Sequence, residues 1–158
     1  KATKTKDEKT RRALFEAYLK NTKYINNWDL VDSSAEHIVG AYLCKKCGNN
    51  RRDEAMPRLY HLAKSNSLWE RRIAIIATFH YIKHKEHKET IRLAKRLLGD
   101  KHDLIHKAVG WMLREMGKQG GETTLHAFLT AHARTMPRTM LRYAIERLPA
   151  KTRHYFLH

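Results

Sequence analysis

Leu68–Lys83, LWERRIAIIATFHYIK, and Asp103–Lys118, DLIHKAVGWMLREMGK, are the two stretches on which the fold turns. Ser67-Leu68-Trp69-Glu70 reads as a capping box, a hydroxyl followed three residues later by a glutamate, and it opens the first helix. Asp103 opens the second, which stops before Gln119-Gly120-Gly121. Their apolar stripes begin about 35 residues apart, the period of helical-repeat proteins. Each is followed by a second helix, Glu86–Leu98 ending at Gly99 and Glu122–Arg134. Recurring pairs of this kind predict an all-α chain, an α-solenoid of HEAT-like antiparallel helix pairs in which each pair buries its face on the next. A compact irregular helix bundle is the alternative.

The flanking sequence extends the same pattern, and nothing in it reads as strand. Toward the N-terminus, a basic leader Lys1–Lys6 precedes a helix over Asp7–Asn21, with Leu14, Ala17, Tyr18 and Phe15 assigned inward. Lys23–Ser33 reads as a short helical turn. Ser34 is assigned as the N-cap of a helix reaching Lys46, stopped by Gly48-Asn49-Asn50. Asp53–Lys64 reads as a helix interrupted by Pro57. Toward the C-terminus, Pro137–Leu148 places Pro137 in a first turn, where its missing N–H costs nothing. Pro149–His158 forms a last turn or frays.

The chain has 158 residues, the size of one domain, so residues 1–158 are expected to form a single helical unit. The longest apolar runs, Ile38–Cys44 and Ile73–Phe79, span seven residues each, against the roughly 20 that a membrane span needs. No charged-apolar-small leader opens the chain, and two cysteines do not build a disulfide scaffold; both point to a reducing, cytoplasmic setting. With 32 Lys+Arg against 16 Asp+Glu the net charge is +16, which favours a polyanionic partner, nucleic acid before membrane because the charge is spread along the chain.

Candidate chemistry is sparse. Trp28 and Asp32, four apart, share a helix face: spacing alone favours a buried indole with a helix-capping Asp, and the alternative is a carboxylate beside an indole set to meet a cationic group. Trp69/Arg72 and Trp111/Arg114 repeat one spacing that sets a flat aromatic next to a guanidinium, a combination suited to sugar and phosphate. Cys44-Lys45-Lys46-Cys47 is a CxxC, but no second CxxC or well-spaced HxxxH is expected to complete a four-ligand site, and the strand-helix context of a redox motif is missing. His80, His84 and His87, and His102 with His106, have helical ligand spacing without an HExxH, as eleven histidines give by accident, so no metal or cofactor is expected. The chain contains no Walker loop, GxSxG or GxGxxG, which leaves nucleotide hydrolysis and serine-hydrolase chemistry without support.

Taken together, Tyr24-Ile25-Asn26-Asn27-Trp28-Asp29-Leu30-Val31-Asp32, Trp69-Glu70-Arg71-Arg72-Ile73-Ala74 and Lys107-Ala108-Val109-Gly110-Trp111-Met112-Leu113-Arg114-Glu115 carry a resemblance. In order and separation the three segments resemble the DNA alkylation repair enzymes of the AlkD type, HEAT-like-repeat DNA glycosylases. The resemblance implies a superhelix whose concave basic face grips duplex DNA. It implies excision of cationic alkylated purines, chiefly 3-methyladenine and 7-methylguanine, with no base pocket, no cofactor and no obligate protein partner. It assigns Asp32 as the catalytic carboxylate, Trp28 and Trp111 as flanks of the damaged nucleotide's backbone and sugar, and Arg72 and Arg114 as phosphate holders. Family members carry further N-terminal helices, so the chain corresponds to the C-terminal two-thirds of such a protein. A non-catalytic solenoid that binds damaged or distorted DNA is the alternative function, and a protein-interaction scaffold a more remote one.

Overall fold

In the computed structural model, residues 7–44 and 52–158 are described, with side chains from 57 onward in the second stretch. The described residues are helical throughout, without a strand. The helices are α1 Glu8–Lys20, α2 Trp28–Ala35, α3 Arg52–Ala63, α4 Leu68–Lys83, α5 Lys88–Leu97, α6 Asp103–Met116, α7 Glu122–His132, α8 Arg138–Ile145 and α9 Ala150–Leu157. None of them is long and apolar enough to cross a membrane.

Helix α4 is the centre of the molecule. Its middle, Ile73-Ala74-Ile75-Ile76-Ala77-Thr78, is fully buried around the whole circumference, as expected of a helix apolar on every side. It packs on α2, α3, α5 and α6. The neighbouring α5 instead shows one buried stripe, Leu93, Ala94 and Leu97, and turns its lysines and arginines outward. Full burial of each large aliphatic side chain of α4 is worth about 1.5–3 kcal/mol, so this helix dominates the core.

Contacts across the row α2, α4, α6 and α8 advance in step. Asp32 meets Arg72, and Gly40 further along faces Ala77 and His80. Arg72 reaches the Leu104 carbonyl, and Phe79 packs on Trp111 with centroids 5.8 Å apart. Gly110 faces Met140 and Tyr143, and Arg114 reaches Glu146. The four helices therefore run parallel, side by side. Helices α3 and α5 pack on each other and on this row, and α7 packs on α6.

Several local assignments change. Asn27, through its Oδ1 at 2.9 Å from the Leu30 amide, is the cap that starts α2. The helix then continues through Ser34, by a wide i→i+5 turn over Glu36–Gly40 and a last turn Ala41–Leu43. Ser34 is thus not a cap: its hydroxyl donates back to the Leu30 carbonyl and meets the Tyr18 hydroxyl at 2.9 Å. In α1 the buried residues are Phe15 and Tyr18, while Leu14 and Ala17 are exposed, because Phe15 stacks on Tyr42 at 4.3 Å and that contact sets the helix's rotation. The capping box at Ser67 is only half formed. Ser67 Oγ accepts from the Glu70 amide, but the Glu70 carboxylate accepts instead from the Thr22 hydroxyl at 2.6 Å. Pro57 lies inside an uninterrupted α3, Pro137 caps α8 rather than entering it, and the C-terminal residues form α9. The expected stop at Gly48-Asn49-Asn50, and Cys47, lie outside the described residues.

Candidate nucleic-acid site

The α2–α4 contact brings two of the assigned residues together. Arg72 Nε donates to Asp32 Oδ1 at 2.9 Å and Nη2 to Oδ2 at 2.8 Å, a two-pronged pair. Nη1 donates to the carbonyl of Leu104 at the start of α6. The Arg72 side chain is 7% exposed and that of Asp32 19%. A guanidinium this enclosed holds one rotamer, and its planar fork fixes the carboxylate plane as well. Asp32 thereby stands at a set height on α2, with each oxygen keeping lone pairs beyond those used by Arg72. One turn earlier Trp28, the first residue of α2, is 56% exposed. An indole this open does not fill the core.

The rest of the Trp69–Arg72 segment fastens this arrangement. Trp69 packs against the core, and Glu70 ties the start of α4 to Thr22 in the α1–α2 connection. Arg71 donates to Asp100 at 2.7 Å and to the carbonyls of Ser65 and Asn66 at 3.1 Å, locking the start of α4 to the loop before α6. Four consecutive side chains thus have four different attachments.

Trp111 is half-buried and tilted on Phe79. Phe79 lies seven residues past Arg72, about 10 Å along α4 at the helical rise. Arg114 lies elsewhere. It is ten residues past Leu104, about 15 Å along α6, and its Nη1 donates to Glu146 on the far side of α8's last turn. Its Nε lies 3.4 Å from Glu115 Oε1 without a hydrogen bond. With Lys118 and Arg147 it lines a hollow of about 290 Å³ between α6, α7 and the α8–α9 junction. The recurring Trp-x-x-Arg spacing is therefore not a structural repeat. One pair opens α4, the other closes α6. Sequence reading named both Asp32 and Arg72 but not their union, since a separation of 40 residues carries no local signal; the Leu104 carbonyl and Glu146 were missed for the same reason.

A net charge of +16, with an oriented carboxylate and an exposed indole on α2 and only helices among the described residues, suits a polyanionic partner. The chain belongs to the DNA alkylation repair enzyme family, whose model matches residues 1–148. That family implies DNA as the substrate and a place in the repair of alkylated DNA. Comparison with curated proteins and with solved structures finds no match.

Proposed function

We propose that the protein is a DNA glycosylase that excises cationic alkylated purines, 3-methyladenine and 7-methylguanine, from duplex DNA. The observation that carries this reading is the fork of Arg72 on Asp32, beside the exposed Trp28. Cleavage of the N-glycosidic bond develops positive charge on the deoxyribose. A carboxylate already fixed next to it stabilises the transition state more than the ground state, because no reorganisation is needed as the charge appears. The remaining lone pairs of Asp32 can orient the attacking water. The alkylated base starts cationic and leaves neutral, so no strong general acid is required, and a single carboxylate suffices where glycoside hydrolases use two. The indole faces of Trp28 and Trp111 add to the stabilisation of that cation.

Arg72 acts in this scheme by holding Asp32, with its phosphate role reduced to whatever its remaining N–H groups reach. Arg114 keeps the phosphate role, in a basic hollow away from the carboxylate. The architecture we assign is a HEAT-like solenoid. It is supported by the parallel row of α2, α4, α6 and α8, by the packing of α3, α5 and α7 beside it, and by the spacing of 32 residues in both the Arg72–Leu104 and the Arg114–Glu146 contacts.

A second reading is favoured by the same pair. Both carboxylate oxygens are engaged by Arg72, as in a purely structural salt bridge, and the protein would then bind damaged DNA without chemistry. Asp32→Asn separates the two. The glycosylase reading expects release of 7-methylguanine and 3-methyladenine from methylated duplex to fall about 10²–10³-fold or more, with DNA affinity kept. Equal release by the variant, or none by the wild type despite tight binding, leaves the binding reading.

A further inference from the structure

Cys44, His80 and His84 offer ligand atoms that all lie within 4.8 Å of one another. Cys44 follows the last turn of the α2 extension and is fully buried, whereas His80 is half-buried on the last turn of α4 and His84 is its C-cap. We propose that these three side chains form a zinc site that clamps the end of the α2 extension to the end of α4.

The chemistry of the donor set is specific. One thiolate and two imidazoles suit a borderline-soft d¹⁰ cation far better than calcium or magnesium, which demand oxygen. Zinc bonds of about 2.3 Å to sulfur and 2.0–2.1 Å to nitrogen put tetrahedral donors about 3.4–3.6 Å apart, so side-chain shifts of about an ångström close the cluster. His80 and His84 are four apart on one helix, the spacing that lets two imidazoles share a metal. Their rings already lie 4.5 Å apart. The second nitrogen is also accounted for. His84 Nδ1 lies 2.8 Å from the His80 carbonyl, which only accepts, so Nδ1 carries the proton and Nε2 the lone pair. A backbone carbonyl that fixes the tautomer in this way is the usual outer partner of a zinc-bound histidine. Lys83, the nearest fixed cation in sequence, is paired with the buried Glu36.

The site's position explains what it would do. Gly40 and Cys44 both face the end of α4, and a Cβ at Gly40 would lie 2.2 Å from the Ala77 carbonyl and 2.9 Å from His80 Cβ. The α2–α4 contact is therefore closed at one end by Asp32–Arg72 and would be closed at the other by the metal. A second thiol, Cys47, follows Cys44 at the C-x₂-C separation of zinc ligands; it lies outside the described residues, and the assignment stands on the other three.

The test uses the full chain, reduced and stripped with a chelator, then titrated with Co(II) and afterwards Zn(II). The expected result is uptake of one Co(II) per chain, with a thiolate-to-cobalt charge-transfer band and the intense visible bands of tetrahedral Co(II), displaced by one equivalent of Zn(II). Zinc should also raise the unfolding temperature. His84→Ala, at a half-exposed helix end, should stay folded by circular dichroism and lose about 100-fold or more in zinc affinity. Cys44→Ser should lose the charge-transfer intensity it supplies. The proposal is overturned if the wild type takes up no stoichiometric metal. It is equally overturned if Co(II) binds without a thiolate band, or if folded His84→Ala binds zinc as tightly as the wild type.

Discussion

The α2–α4 and α6–α8 contacts use one backbone device and put it to different ends. Each depends on a glycine at the closest approach: a Cβ on Gly40 would lie 2.2 Å from the Ala77 carbonyl, and one on Gly110 would lie 2.5 Å from that of Met140. Each also joins a carboxylate to a guanidinium, Asp32 to Arg72 and Glu146 to Arg114. The difference is burial. Arg72 is 7% exposed and hydrogen-bonded to both Asp32 and the Leu104 carbonyl, whereas Arg114 is 20% exposed, is held by one nitrogen on the 56% exposed Glu146 and lies 3.4 Å from the buried Glu115 without a hydrogen bond. Close helix approach therefore does not by itself fix an ion pair; the guanidinium's other partners do. Asp32 is held in place by two hydrogen bonds, whereas Arg114 has one, to an exposed carboxylate.

The largest contrast is expected on removing each arginine. Arg72→Ala leaves Asp32 and the Leu104 carbonyl without their donor, and should lower stability by about 3 kcal/mol, the low end for a broken buried pair because Asp32 keeps some water. Arg114→Ala breaks the exposed pair with Glu146 and leaves the buried Glu115 to Lys118, 3.2 Å away, so it should cost about 1 kcal/mol. Urea unfolding of both variants measures the gap, and equal losses would erase the distinction between the two contacts. Arg72→Lys sharpens it further. A lysine restores charge but not the two-pronged geometry, so stability should recover more than base release does.

The glycines come next. Gly40→Ala and Gly110→Ala each drive a methyl into backbone, and each should cost about 1–3 kcal/mol, outweighing the gain of about 1 kcal/mol in helix propensity. Gly99 has nothing within 4 Å of an added Cβ, so Gly99→Ala should be neutral or stabilising in the same unfolding series. A small effect at Gly40 alone would mean that α2 can shift on α4, and that Asp32 is less fixed than its hydrogen bonds imply.

These contacts also mark where the sequence stops being informative. The helices of the centre were legible because IAIIATFHYI and DLIHKAVGWML have strong patterns of their own. Partners were not. Ser34 looks like a cap in isolation, yet the helix runs through it because Asn27 starts the turn earlier. Glu70 completes a local capping box on paper, but Thr22 offers it a hydroxyl from the α1–α2 connection. Asp32, Arg72 and Arg114 were assigned roles from a family likeness, while what each side chain grips is set by residues 32–40 positions away. Cys44 and the His80/His84 pair were read separately for the same reason, since only the fold brings them together.

Acid should act at the end of the α2–α4 contact, through His80. Burial, then the positive charge of His84, Lys83, His37 and Arg11, pushes His80 down to about 4 from its ordinary 6.5. Between those values the unfolded chain takes up a proton that the folded, metal-free chain refuses. Stability is thus full above pH 6.5, declines as the pH falls, and stops declining from this source below about 4. His80→Gln in chelator-treated protein should flatten that part of the stability–pH curve. A wild-type slope retained in the variant would assign it to another group.

The smallest expected effect concerns Glu146 and reads directly on the second contact. If Arg114 exchanges its carboxylate for a phosphate, Glu146 competes with DNA for the same nitrogen. Glu146→Gln then removes both the competitor and a negative charge beside Lys118 and Arg147, and duplex binding should tighten about two- to threefold at low salt, converging with wild type as salt screens the charges. Arg114→Ala should act in the opposite sense, weakening all duplexes alike and lowering the salt slope by about one. In the double variant the Glu146 effect should shrink, because its main target is gone. Full additivity would mean that Glu146 acts only through overall charge, and that Arg114 stays on the protein when DNA binds.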